Sequence, residues 1–213
     1  YDATTKLAPW NNKTDTIITI TITGITKIGS YTFNGCTEFT SIEIPSSVTT
    51  IGGYAFNGCT KLATITYPVE ATADNTIFSG CTSESITMTI SGSGPMKDYA
   101  SDTQPWNAIK GQITKVTIEN EVTTIGDYAF NGANKLTTLN LGNNIETIGL
   151  YAFQGCSGLT TLTLPRNTKT VKSYSFNDCS SIETLDLHEV QTIGTNAFEG
   201  LKITSLTIPT IVS

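Results

Sequence analysis

The sequence has 213 residues, of which 14% are charged and 38% hydrophobic, and its formal net charge is -6. No basic stripe is present to displace counterions, which excludes nucleic acid as a partner, and no run of about 18 apolar residues is present to form a membrane-spanning helix. The remaining residues are largely Thr, Ser, Asn and Gly, a balance that favours strands and turns over long helices.

The chain opens on Tyr1-Asp2-Ala3, without an initiator Met or a signal-peptide pattern, and reads as trimmed from a longer protein. Pro9-Trp10-Asn11 is the first landmark. From it a phrase recurs whose aromatic position is filled by Phe33, Phe56, Phe78, Phe130, Phe153, Phe176 and Phe198, at steps of 23, 22, 52, 23, 23 and 22 residues. Self-similarity at such a period is the signature of a solenoid, in which each unit buries its apolar face only against its neighbours. The 52-residue gap holds a second landmark, Pro105-Trp106-Asn107, with Trp106 in the aromatic position. The chain therefore reads as two arrays, 1–91 and 92–213, each opened by a Trp-marked unit and continuous as one solenoid.

Along each unit an apolar pair brackets one polar residue: Ile20/Ile22, Ile42/Ile44, Ile65/Tyr67, Met88/Ile90, Val116/Ile118, Leu139/Leu141, Leu162/Leu164, Leu185/Leu187 and Leu206/Ile208. Strict alternation marks a strand with its apolar side inward. Nine such strands predict one curved parallel sheet with a spacing of about 4.8 Å. The opposite side of each unit, as in Ile51–Gly58, predicts short helical turns on the convex side. Each is ended by a left-handed glycine at Gly35, Gly58, Gly80, Gly132, Gly155 or Gly200. Pro45, Pro68, Pro165 and Pro209 follow the strand pair and end it, because Pro cannot donate to a ladder. Gly92–Gly111, rich in Gly, Pro, Ser and Asp, reads as a lead-in loop to the second array.

The phrase IGLYAFQGCSGLTTLTLP at Ile148–Pro165 and its copies resemble the BspA-like (treponemal-type) leucine-rich repeats of bacterial and protist surface proteins, over about 180 of the 213 residues. The resemblance implies a leucine-rich-repeat solenoid of α/β type, extracellular or cell-surface localisation, and adhesion to a protein ligand on a host or neighbouring cell or in its matrix. The sequence departs from the pattern at Ala133, where the repeat has Cys, and over Val69–Ile77, where the turn is degraded.

Few residues carry reactive chemistry. Cys36, Cys59, Cys81, Cys156 and Cys179 each lie three residues after a core Phe. One ligand per unit makes a column, whereas a structural zinc site needs a tetrahedron; rungs near 5 Å apart bring neighbours such as Cys36 and Cys59 within disulfide reach, but the odd total and the column favour buried free thiols. His188 is the sole histidine and reads as a solvated loop residue; no nucleophile motif, facing carboxylates or phosphate loop accompanies it. No cofactor, no metal and no catalytic residue is expected.

The outward face of the strands is the candidate site. One column is Thr19, Ser41, Thr64, Thr87, Lys115, Thr138, Thr161 and Thr184, and a second is Thr21, Glu43, Thr66, Thr89, Thr117, Asn140, Thr163 and Asp186. Thr suits the solvent side of any sheet, so the columns read first as plain solvated surface and second as a broad protein-contact surface, with Glu43, Lys115, Asn140 and Asp186 as the places where specificity would arise. A tyrosine column, Tyr31, Tyr54, Tyr128, Tyr151 and Tyr174, lies two residues before the Phe and is read as covering the convex edge. The expected function is a non-enzymatic binding or adhesion module using the concave strand face. The alternative is a structural spacer presenting another domain. An uncapped last unit at Ile211-Val212-Ser213 adds an expectation of a missing cap or of end-to-end self-association.

Overall fold

A computed structural model describes residue 10 and residues 13–208; the expectations attached to Pro209 and to the chain's last residues lie outside them. Successive units stack as parallel rungs of a β-solenoid, and among the described residues fifteen short strands, numbered in chain order, form ladders on two sides of it.

The first side carries β2 (Ser41–Glu43), β4 (Thr64–Pro68), β5 (Ile86–Ser91), β7 (Ile113–Ile118) and β9 (Thr138–Asn140), paired in that order and all parallel. It continues, as a separate ladder, in β11 (Thr161–Thr163), β13 (Thr184–Asp186) and β15 (Ser205–Thr207). Alternation sets this arrangement: Ile42, Ile65, Met88 and Val116 are buried, while the residues beside them face out. A bulge between β5 and β7 pairs Thr87 with Lys115, absorbing the one-residue shift in the spacing of those apolar pairs.

Two corrections concern this side. It holds eight strands among the described residues, in two ladders, where nine in one sheet are predicted. The segment 19–22 joins no ladder. Ile17 and Ile18 are adjacent, and Ile18 is 70% exposed, so apolar side chains fall on both faces and the register is weakly specified.

The second side was not foreseen. Two-residue strands at the Thr-Ile step form β1 (Lys27–Ile28) with β3 (Thr50–Ile51). A longer ladder runs β6 (Gly94–Pro95), β8 (Val122–Ile125), β10 (Thr147–Ile148), β12 (Thr170–Val171) and β14 (Thr192–Ile193). β6 belongs to the segment expected to be a loop. Met96 is buried there, and its N–H donates to the Thr124 carbonyl at 3.0 Å.

Between the two sides the chain makes tight turns where short helices are predicted. In a turn such as Tyr54–Gly58 both ends are left-handed, with φ of 57° at Tyr54 and 69° at Gly58. A right-handed helix cannot pass through either residue. The bonds that form are single turns, Asn57 N–H to the Tyr54 carbonyl at 3.1 Å and Cys59 N–H to the Phe56 carbonyl at 3.4 Å. All six glycines expected to be left-handed are so, with φ between 68° and 81°. The one helix among the described residues is a 3-10 helix at Asn107–Gln112.

The aromatic column is the spine of the core. Trp10, Phe33, Phe56 and Phe78 stack at centroid separations of 5.4–5.7 Å, and Trp106, Phe130, Phe153, Phe176 and Phe198 at 5.2–5.7 Å. Each Trp does what a Phe cannot. Its indole N–H donates into the next rung, to the Thr32 carbonyl at 2.8 Å and the Ala129 carbonyl at 2.7 Å. Tyr67 and Tyr99 contact the Trp106 ring edge-on at 5.4 and 5.5 Å, while the β5–β7 pairing carries the strand side through the same region.

Candidate functional site

The pairing register aligns the outward side chains of the first side. Ser41, Thr64, Thr87, Lys115 and Thr138 form one row across β2, β4, β5, β7 and β9, and Glu43, Thr66, Thr89, Thr117 and Asn140 form the next. Beyond the ladder break, Thr161 pairs with Thr184 and Thr163 with Asp186. Thr19 and Thr21 stand exposed on the unpaired first rung. Ser41, Glu43, Thr64, Lys115, Thr138, Asn140, Thr161, Thr163 and Thr184 are exposed; Thr66, Thr87, Thr89, Thr117 and Asp186 are half-buried. β-Branched side chains held 4.7–4.9 Å apart on neighbouring strands have little rotamer freedom left, so the surface is preorganised by its own backbone.

Charge on this face is sparse and separated: Glu43 on β2, Lys115 on β7 and Asp186 on β13. Asp186 is engaged from one side. Its Oδ1 accepts the His188 N–H at 3.0 Å and lies 3.3 Å from His188 Nδ1. His188 is therefore half-buried against Asp186, not a free loop residue, and its backbone is left-handed with φ 44°.

A cleft of about 590 Å³ opens at the ends of β2, β4, β5 and β7. Glu43 and Thr66 line it together with Glu70, Glu119 and Glu121, over an apolar floor of Ile44, Pro45 and Val69. Glu119 accepts the Gly92 N–H at 3.2 Å and so ties the start of the lead-in to the rim. The sequence reading missed these glutamates because they sit in turns just past the strand pairs, where no periodicity flags them. The available signal was the placement of Glu70, Glu119 and Glu121 within four residues of a strand's last apolar residue.

The tyrosine column stands at the corner between the two sides, in a conformation the sequence did not reveal. Tyr31, Tyr54, Tyr128, Tyr151 and Tyr174 have φ of 54–57°, a region that favours glycine and asparagine. Their rings stack, Tyr31 on Tyr54 at 5.1 Å, Tyr128 on Tyr151 at 4.9 Å and Tyr151 on Tyr174 at 4.8 Å. Tyr31 and Tyr54 keep 39% and 38% of their surface exposed.

All five cysteines are free and buried. Four of their thiols donate to the Phe carbonyl of the preceding rung, as Cys59 Sγ does to Phe33 O at 3.2 Å and Cys179 Sγ to Phe153 O at 3.2 Å. Burial pushes the Cys36 thiol up to about 11, away from a nucleophile's range. Among the described residues no group of three or more His, Cys, Asp or Glu side chains is placed to hold a metal ion, and no helix is long and apolar enough to cross a membrane.

Six copies of the BspA type leucine rich repeat region match the chain, over residues 11–95 and 108–213. No curated protein matches the sequence. Among solved structures, the chain is similar to a leucine-rich repeat protein from Bacteroides ovatus, at 24% identity and a TM-score of 0.50, covering 83% of this chain and 38% of that one. It is also similar to the T. pallidum leucine rich repeat protein, at 20% identity and TM-score 0.44, over 79% of this chain and 58% of that one. The pneumococcal vaccine antigen PcpA is a third, at 22% identity and TM-score 0.45, over 86% of this chain and 54% of that one. The chain thus spans less than two thirds of each of these proteins, and likeness at such identity speaks to fold alone. Repeat copies over most of the sequence, folded as stacked parallel rungs with one core aromatic each, place the chain in the BspA-type leucine-rich-repeat family.

Proposed function

We propose that the chain is a non-enzymatic binding module of a secreted or cell-surface protein, and that it holds a protein ligand on its threonine-rich strand face. The observation that carries this reading is the pair of in-register rows across β2, β4, β5, β7 and β9, where exposed hydroxyl groups are broken by Glu43, Lys115 and Asn140. Mostly neutral and rich in β-branched side chains, such a face loses little side-chain entropy when covered. Its few charged and amide groups supply register and partner choice. Family membership favours protein contact over catalysis, and the surface and adhesion roles enter by the same analogy.

The test is binding of the purified chain to host extracellular-matrix and surface proteins, compared with a variant carrying Lys115→Glu, Thr138→Arg and Asn140→Arg on adjacent strands. These outward substitutions leave the core intact, so circular dichroism stays native while affinity falls at least about tenfold. Unchanged affinity in the folded variant removes the face from consideration. A spacer role is the second reading, favoured by one fact: the chain spans 38% of the Bacteroides ovatus protein it is similar to. In that case the chain binds none of these proteins, with or without the substitutions.

A further inference from the structure

The cleft at the ends of β2, β4, β5 and β7 lies where the repeat is least regular. β2 ends at Glu43, but β4 runs on to Pro68 and β5 to Ser91, and the lead-in follows. Backbone bonds fix the walls: the Val69 N–H donates to the Ser91 carbonyl at 2.7 Å, and the Gly94 N–H to the Glu121 carbonyl at 2.9 Å. Gly92 lets the lead-in lie against the floor. Its φ is 104°, and a Cβ added there would stand 3.0 Å from Val69 Cγ1. The shape of the hollow is thus set by the main chain.

Clefts lined by one sign of charge concentrate the opposite charge, and here the sign is uniform. Glu43, Glu70, Glu119 and Glu121 are exposed around the hollow, and no Lys or Arg lines it. Among the described residues the ion pairs use other acids, Glu38, Asp102, Asp127 and Asp186, so none of the four glutamates is ion-paired. Nor, among those residues, are any three acids gathered closely enough to hold a metal ion. The floor narrows the choice of cation independently. Ile44, Pro45 and Val69 offer nothing to a bare ion, whereas an arginine or lysine lays its methylene stem on such a surface and keeps its charge at the rim. A guanidinium is favoured further because it meets carboxylates in bidentate pairs. Four rungs at about 4.8 Å put about 14 Å between the outer two, the reach of about four extended residues. Glu43 and Thr66 belong both to the cleft and to the in-register rows, so a segment leaving the hollow passes directly onto the strand face.

We propose that this cleft receives an extended, arginine-bearing segment of the protein ligand, with a guanidinium among the glutamates and its stem on the apolar floor. The inference rests on the strand face being the binding face, and it names the chemistry of what enters at that face's edge. Glu70 and Glu121 serve as acceptors for the cation, while Glu119, which also accepts the Gly92 N–H, keeps the lead-in in place. Attraction of this kind weakens as salt screens it.

The test uses the whole chain and a fluorescein-labelled hexapeptide, Gly-Arg-Val-Arg-Val-Gly, beside a twin in which both arginines are citrulline, of similar shape but neutral. Fluorescence anisotropy reads binding to the native chain, to Glu70→Gln/Glu121→Gln, and to Glu183→Gln/Glu189→Gln. The last pair is exposed and lies outside the cleft, and each double variant takes the net charge from -6 to -4. Circular dichroism confirms that both are folded. The arginine peptide should bind the native chain at least about fivefold tighter than its twin, and the cleft variant should lose about as much. The control pair should lose less than about twofold, and binding should weaken as salt is raised. No binding of the arginine peptide, equal binding of the twin, equal losses in the two double variants, or displacement by calcium at matched ionic strength would each overturn the proposal. The Lys115→Glu, Thr138→Arg, Asn140→Arg variant separates it from the reading beneath it. Matrix-protein binding lost in that variant, with peptide binding indifferent to Glu70 and Glu121, sinks the cleft alone; matrix-protein binding kept in that variant sinks the face.

Discussion

Tyr54 and its four column mates occupy backbone that costs an L-residue roughly 1–2 kcal/mol, and the strain is met locally. Each ring finds a stacked neighbour at 4.8–5.1 Å, a contact worth about 0.5–1.5 kcal/mol beyond its buried area. Each backbone N–H also donates across the rung step, as Tyr151 does to Ser173 O at 3.2 Å. The last rung shows what the position requires when stacking is dispensed with, since Asn196 takes the place of tyrosine there at φ 56°. Asn tolerates this region and a β-branched residue does not. Tyr151→Val should therefore cost at least about 1 kcal/mol more than Tyr151→Asn in urea unfolding. Equal losses would mean that the ring contacts, not the backbone conformation, set the energetics of the column.

At the scale of one element, the aromatic stack should grade its own stability. Phe153 is fully buried between Phe130 at 5.4 Å and Phe176 at 5.2 Å, whereas Phe198 is half-buried and stacks on Phe176 at 5.7 Å. Phe153→Ala should cost about 3–5 kcal/mol, and Phe198→Ala clearly less because its surroundings are already partly hydrated. Denaturant midpoints of the two variants decide it; the reverse order would show that the stack does not carry the core. This column was legible from sequence, including the Trp in the Phe position, because burial recurs at one offset in every copy. The corner was not legible. Ala-Phe-Asn beside a glycine is compatible with a helical turn, and only the left-handed tyrosine two residues earlier forbids it. The face residues were likewise readable from alternation, but the acidic cleft beside them draws on turn residues that no period relates. The lead-in misled for a similar reason: its glycines read as loop, yet Gly94–Pro95 pairs with β8 because Met96 is anchored in the core.

The molecule as a whole has no single centre, since each rung rests on two neighbours and stability propagates along one dimension. Local stability should then follow how each rung is paired and buried. β5 and β7 are six residues long, pair with each other over most of their length, and carry Met88, Ile90 and Val116 with no exposed surface. β15 is three residues long and exposed throughout, with Leu206 47% accessible where its column mates Leu162 and Leu185 are at 4%. Opening free energies should therefore rise from β15 inward. Amide hydrogen exchange read by mass spectrometry should find Thr87–Ile90 and Val116–Ile118 the slowest strands of the face and Ser205–Thr207 the fastest, separated by at least about tenfold in rate. Uniform exchange across the face would instead mean that the chain opens as one cooperative unit. The proposed binding face would then be only as rigid as the whole fold, and the central rows around Thr89 and Thr117 would hold no advantage as a preorganised surface.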